Sequence, residues 1–334
     1  CEHPAFPTTD LSSVRMLTCG GSAVPTRVLD AYEQRGLSFT GGCGMTETSP
    51  GVTSLQPRFS RLKAGSAGLT HFFTDVRVAD DAGRDLPAGA VEASPQGLTL
   101  LRPPPRPFRL TVVTEVNPEA NTKLMGLYRS SGIYCTQCEA DGFRRITYAL
   151  DRPDVMSVYT TRIEAERDEA PTLLGNGNPT EAGAIAGTGR HYAVWHDPHP
   201  KPGYLFALVG GHLARVAKPY VTAEGRPVEI AVHVEPGKEG RAAYALDALE
   251  RSMRWDERVF GRNYDLDVFN VVAVSDFNMG AMENKGLNIF NDKYVLASPE
   301  TATDTDYANI EAIIAHEYFH NWTGNRITCR DWFQ

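Results

Sequence analysis

Two imidazoles four residues apart, with a carboxylate between them, are the groups in this chain best suited to chemistry. They are His316, Glu317 and His320, in the run Ile310–Asn321 (IEAIIAHEYFHN). Ile310, Ile313, Ile314 and Phe319 recur at helical spacing, so this run is predicted to be a helix. On a helix, side chains four apart share one face, about 5–6 Å between Cβ atoms. Two imidazoles placed that way can hold one Zn²⁺, and the carboxylate beside them can work on a water at the metal. The competing reading is a coincidental pair of surface or core histidines.

Several elements have to position these groups. Asp304 and Asp306 precede the helix, where acids complement the N-terminal dipole. Upstream, Arg241–Phe260 repeats Ala242, Ala245, Leu246, Leu249 and Met253 on one face, so it is a second helix. Leu266–Ser275 reads as a strand, and Leu287–Phe290 and Lys293–Leu296 as short extended pieces. Before them, Phe108–Val116, Phe143–Tyr148, Ser157–Ala165, His191–Trp195, Tyr204–Val209 and Val228–Val234 are strand-like runs separated by turns. That pattern predicts a largely antiparallel β domain. Pro103-Pro104-Pro105-Arg106-Pro107 continues neither helix nor central strand and marks a boundary. Residues 1–90 alternate strand and helix: Val14–Thr18, a helix over Pro25–Gln34, and Val76–Ala79.

Composition narrows the function classes. A length of 334 residues suggests two or three domains, and 42% hydrophobic content is ample for their cores. A net charge of −8 with interspersed signs speaks against a nucleic-acid surface. No run of 18 apolar residues exists, so no membrane helix is expected. Six cysteines at this length do not form a disulfide framework, so a reducing, cytoplasmic setting is expected. Cys135 and Cys138 lack the second Cys/His pair of a structural zinc site and read as packed thiols. Gln137 and Glu139, two apart on extended backbone, face one side and can jointly receive a cationic group. Oligomeric state is not legible.

Two resemblances add to this. Gly280-Ala281-Met282-Glu283-Asn284 followed by His316-Glu317-Tyr318-Phe319-His320-Asn321-Trp322-Thr323-Gly324-Asn325-Arg326 resembles the joint signature of the M1 family of zinc aminopeptidases, which are gluzincins. Cys135–Arg145 and Asp151-Arg152-Pro153-Asp154 extend the resemblance over about residues 91–334. It implies that His316 and His320 are ligands of one zinc ion and that Glu317 is the general base. It also implies that Glu283 and Glu139, with Gln137 as a polar neighbour, hold the free α-ammonium of a peptide. Met279 would line the pocket for the first side chain, and Gly280 and Ala281 would align the peptide backbone. In gluzincins a third ligand, a Glu, lies roughly twenty residues past the second His. The stretch Asn321–Gln334 does not reach that position, and Asp331 does not match it. The chain is therefore expected to be a truncated and inactive peptidase, exposing apolar surface such as the Ile313/Ile314 face.

The second resemblance is to the adenylate-forming acyl-CoA synthetases, carried by Cys19–Pro25, Gly44-Met45-Thr46-Glu47-Thr48, Lys63–Gly68 and Asp80–Pro87, with departures at Gly41 and Cys43. It implies that Gly20–Ser22 would line adenine and that Thr46 and Glu47 would contact AMP phosphate and Mg²⁺. Most of that family's machinery is missing here, so this part is expected to be inert. The expected fold class is α+β and multidomain. It comprises an α/β segment at 1–90, an antiparallel β-rich domain at 91–234, and an incomplete thermolysin-like (gluzincin) catalytic domain at 235–334. Peptides with a free N-terminus are the expected partners, with no nucleic acid and no membrane. An adenylate-forming ligase fragment and a non-catalytic chimera of two genes are the alternatives.

Overall fold

A computed structural model of the chain describes residues 109–332 continuously, and before them residues 8, 9, 11, 14, 17–19, 26–35, 37, 39–41, 53–54, 69–70, 75–79, 91–94 and 97–101. The expected adenine, phosphate and Mg²⁺ contacts (Gly20–Ser22, Thr46, Glu47) and the proline run lie outside these residues. The chain divides into two compact units, Cys1–Asn117 and Pro118–Gln334.

In the first unit, strands β1 (Leu17–Cys19) and β2 (Phe39–Gly41) pair in parallel, with helix α1 (Thr26–Glu33) between them in sequence. The first strand and the helix lie where expected, while β2 was not among the expected strands. β3 (Thr53–Ser54) pairs with β4 (Leu69–Thr70), and β6 (Val91–Ser94) with β7 (Gly97–Leu100). β5 (Asp75–Ala79) pairs antiparallel with β8 (Thr111–Glu115), so the compact division falls past residue 90.

The second unit holds three sheets. β9 (Gly126–Ser130), β10 (Ile133–Gln137), β12 (Thr172–Gly175) and β15 (Leu208–Gly211) form one, in the order β12-β15-β10-β9. The long strands β11 (Ser157–Glu166) and β14 (Arg190–Lys201), with β13 (Asn178–Ala184), form a second antiparallel sheet. The third runs β16 (Ala214–Val221), β17 (Pro227–Val234), β18 (Val268–Val274), β20 (Leu287–Asn291), β19 (Ala281–Met282). Here β17, β18 and β20 are parallel neighbours, so this sheet runs across the boundary expected at 234/235. β18 reads V-F-N-V-V-A-V because both faces are covered, as in parallel sheets generally. Its Phe269, Val271 and Ala273 join the core under the helices, while Val272 and Val274 join a core shared with β9, β10 and β15.

Helices α2 (Ala243–Phe260) and α3 (Asp304–Phe319) pack on the first of those cores. Gly261 closes α2 in the left-handed conformation, φ 63°, its N–H bonding Glu257 O. Thr303 and Asp306 cap α3 reciprocally, so its start is fixed.

Three expected strands are otherwise. Phe143–Arg145 is a 3₁₀ turn, because the Arg144 N–H donates to Asp151 Oδ2 (2.9 Å) rather than to a ladder. Gly203–Leu205 is another, after Pro202, and only Leu208 and Val209 of the expected run are strand, as the start of Leu208–Gly211. Asp292–Tyr294 turns because the Asn291 side chain accepts from the Lys293 N–H. The expected exposed Ile313/Ile314 face is also corrected: Ile314 is buried and Ile313 packs against the core. The exposed apolar groups on these helices are instead Trp255, Val259, Phe260 and Phe319.

Candidate metal and amine site

The last turn of α3 carries the histidines. Their Nε2 atoms approach to 3.0 Å, close to the roughly 3.3 Å separating two nitrogens on one tetrahedral zinc. His320 Nδ1 lies 2.8 Å from Thr323 O. A carbonyl only accepts, so Nδ1 carries the proton and Nε2 presents its lone pair toward His316. Gly324 makes this contact possible. Its φ is +143°, and a Cβ there would lie 2.8 Å from His320 Nδ1 and 3.2 Å from His320 Cβ. The Asn325 N–H closes the turn on His320 O at 2.9 Å.

Glu317 is buried on the same helix, at 6% exposure. One donor atom each of Glu283, Glu317 and His320 lies within 4.8 Å of the others. Burial, then the charges of Glu283 and Glu139, push Glu317 up to about 8. Burial and Glu283 push Glu139 up to about 7 against the opposing pull of His320. His316 is lowered by burial and by His320, which favours the neutral, ligating imidazole. Glu317 and Glu139 resist ionisation because burial strips their carboxylates of water and like charge stands nearby. The donor set Glu283, Glu317 and His320 fits a divalent cation.

Strands β10 and β19 lead into the other polar groups near the histidines. Gln137 ends β10, fully buried, and its Nε2 donates to Met279 Sδ at 2.8 Å. Gln137 Oε1 is buried without a protein partner among the described residues. Glu139 follows two residues later, half-buried. Gly280 leads into β19, which is the edge strand of its sheet: Ala281 and Met282 pair with β20 on one side only. Glu283 follows immediately, 9% exposed, its carbonyl accepting from Asn325 Nδ2 at 3.0 Å. The structure therefore brings His316, His320, Glu317, Glu283 and Glu139 to one place and sets Gln137 against Met279. Cys135 and Cys138 are buried free thiols, as read from sequence.

The groups that hold this site were not singled out from sequence: Thr323, Gly324 and Asn325 after the helix, and Lys285 beside Glu283. Gly324 between polar residues is a turn signal, but what the turn orients was legible only in the fold.

Comparison with known proteins places the chain among relatives. Residues 244–334 match the Peptidase family M1 domain, and residues 99–205 the Peptidase M1 N-terminal domain. Aminopeptidase N of Caulobacter vibrioides is 60% identical over 259 residues, 78% of this chain and 30% of that protein. Aminopeptidase N of Escherichia coli is 54% identical over 239 residues, 72% of this chain and 27% of that protein. The crystal structure of Legionella pneumophila aminopeptidase A in complex with aspartic acid aligns with a TM-score of 0.65 at 33% identity, over 79% of this chain and 32% of that one. Residues 1–93 match the AMP-binding enzyme family, and a feruloyl-CoA synthase from Amycolatopsis is 48% identical over 87 residues, 26% of this chain and 18% of that protein. The chain spans less than a third of the length of these relatives. No helix among the described residues is long and apolar enough to cross a membrane. From residue 99 onward the chain thus carries M1 peptidase domains, behind a segment of AMP-binding enzyme sequence.

Proposed function

We propose that residues 91–334 contribute to a zinc aminopeptidase, with 91–234 as its β-rich N-terminal domain and 235–334 as the start of a thermolysin-like catalytic domain. The observation that carries this reading is the 3.0 Å approach of the His316 and His320 Nε2 atoms beside buried Glu317 and Glu283. His316 and His320 would hold the ion, which when bound polarises the scissile carbonyl and acidifies water. Glu317 takes the proton from the attacking water and passes it to the leaving amine, while the C–N bond breaks and a carboxylic acid forms.

Glu283 and Glu139 hold the peptide's α-ammonium, and the free Gln137 Oε1 accepts a further N–H from it. The open edge of β19 at Gly280 and Ala281 pairs with extended peptide, and Met279, 42% exposed, lines the first side-chain pocket. Carboxylates fixed one residue's length from the metal reward only peptides whose first residue has a free amine. The setting proposed is cytoplasmic, in keeping with free Cys135, Cys138 and Cys329.

A catalytic zinc needs three protein ligands. Among the described residues, the carboxylates beside the imidazoles are Glu283, Glu317 and Glu139, all of which have other work in this scheme. The 334-residue polypeptide is therefore proposed to bind zinc weakly and not to turn over peptides. Zinc titration of this polypeptide tests both points. His316→Ala or His320→Ala should abolish binding, Glu317→Gln should retain it, and an alanine chromogenic amide should stay uncleaved. Zinc-dependent, Glu317-dependent cleavage would refute the inactivity. Binding indifferent to both histidines would refute the site.

For residues 1–93 the family match favours a second reading, adenylate-forming ligase sequence held as an inert segment. ATP–pyrophosphate exchange by the chain would overturn the inertness.

A further inference from the structure

Behind the candidate site lies a charge cluster that the proposed reaction does not use. Asp265, in the loop between α2 and β18, has a largely buried side chain. Its carboxylate accepts from Lys285 Nζ and from the Arg326 guanidinium, and lies 3.3 Å from His199 Nε2 and 3.4 Å from Asn321 Nδ2. Lys285 Nζ also donates to Asn321 Oδ1 at 2.8 Å, with its side chain 1% exposed.

These partners come from the segments that carry the site. Lys285 is two residues past Glu283, and Asn321 directly follows His320. Arg326 lies in the turn whose Thr323 carbonyl orients the His320 ring and whose Asn325 side chain holds the Glu283 carbonyl. His199 arrives from β14 in a different sheet. The turn and the Glu283 loop thus touch through Asn325–Glu283 and through Lys285–Asn321, and one carboxylate fixes both Lys285 and Arg326 from behind.

We infer that Asp265 is a positioning residue that clamps the 321–327 turn onto the Glu283 loop and so fixes His320 relative to Glu283. The inference rests on the metal-and-amine reading above. Replacing the carboxylate with a carboxamide keeps its shape but removes the charge that two cations share, and points an NH₂ at one of them. The turn is then free to shift on the loop, and the Thr323 carbonyl shifts with it. Loss of an outer contact that orients a metal-bound histidine lowers metal affinity about 10–100-fold. Asp265 acts one link further out, so about tenfold is expected.

The test uses the whole 334-residue chain with Zn²⁺ and Co²⁺ as probes. Zinc affinity is measured by chelator competition, and the Co²⁺ visible spectrum reports ligand geometry. Asp265→Asn should lower zinc affinity about tenfold and change the Co²⁺ bands. Val232→Ala, a core change on β17 that costs stability, should leave both unchanged, and a merely structural role for Asp265 would make Asp265→Asn do the same. Arg326→Gln keeps the buried Lys285–Asp265 pair, is expected to cost less stability than Asp265→Asn, and should shift both readouts in the same direction by less. Wild-type affinity and spectrum in Asp265→Asn, or in Arg326→Gln where Asp265→Asn does not fold, overturn the proposal. Failure of the metal reading looks different: zinc binding by the unaltered chain would be absent, or indifferent to His316→Ala and His320→Ala.

Discussion

Gly324→Ala tests how the candidate site is held with a single methyl group. At φ +143° only glycine is comfortable, and holding another residue there costs on the order of 1–3 kcal/mol. The added Cβ would also lie 2.8 Å from His320 Nδ1 and 3.2 Å from His320 O and Cβ. Neither neighbour can retreat cheaply. The oxygen accepts from the Asn325 N–H at 2.9 Å, and Nδ1 is held by Thr323 O at 2.8 Å. Relief requires rotating the imidazole, which breaks its bond to Thr323 and turns Nε2 from His316. Overpacking adds about 1–3 kcal/mol, for a total of roughly 2–6 kcal/mol. If relief comes mainly through the ring, stability falls toward the low end and zinc affinity falls about 10–100-fold. Urea unfolding gives the first quantity and chelator competition the second. Unchanged stability together with unchanged zinc affinity would refute the claim that this turn orients His320.

Three further outcomes follow from the same structure. Glu283→Gln should erase the preference for an amino acid amide over its N-acetyl derivative, read by calorimetry with zinc present, at a cost of about 2–5 kcal/mol in binding the free amine; an undiminished preference would place the amine elsewhere. His233 is buried and pushed down to about 4 by burial, its Nε2 meeting Asn270 Oδ1 at 3.0 Å. A depressed histidine contributes stability above its unfolded pKa of about 6.5 and loses it as pH falls toward 4, about 3 kcal/mol in all. Unfolding free energies at pH 7 and pH 4 should therefore differ by about that much more in the native chain than in His233→Gln. Lys201 and Asp197 form a fully buried pair at 3.0 Å, so Lys201→Met should cost about 3–5 kcal/mol by leaving Asp197 unpaired. The double variant with Asp197→Asn should recover most of this in denaturant titration, and no recovery would mean that the pair is not coupled.

Sequence reading succeeded where one residue's role is local. The pair His316 and His320 shares a face because four residues is one helical turn, and the acids Asp304 and Asp306 stand in the first turn of the helix, where its dipole favours them. β17 and α2 were legible from alternation and from the apolar stripe. The misses share one cause. At Phe143, Tyr204 and Lys293, apolar or aromatic residues suggested strands, yet backbone groups there bond to Asp151, Asn291 or their own turn. Those partners are side chains or local carbonyls, to which strand periodicity is blind. Asp265, Lys285 and Asn325 were passed over for the opposite reason. Their partners lie 20 to 61 residues away, and no local pattern marks a charge that will be buried.

The site also depends on packing between two sheets. Gln137 leads from β10 toward Glu139, and Met282 leads from β19 to Glu283, so the two carboxylates proposed to hold the amine follow strands of different sheets. Those sheets meet in one core, where Cys135, Tyr128 and Val209 pack with Val272, Met282 and Ile289. The hydroxyl of Tyr128 bonds Asp276 O at 3.0 Å, and Ser130 Oγ bonds Asp276 Oδ2 at 3.0 Å, tying β9 to the end of β18. The spacing between Glu139 and Glu283 is therefore set by apolar side-chain volume in that core. A polypeptide cut at the expected 234/235 boundary would lose the spacing as well as the sheet, because β17 on one side of the cut pairs with β18 on the other. The proposed amine recognition would thus be a property of the two regions packed together, and neither alone holds both carboxylates.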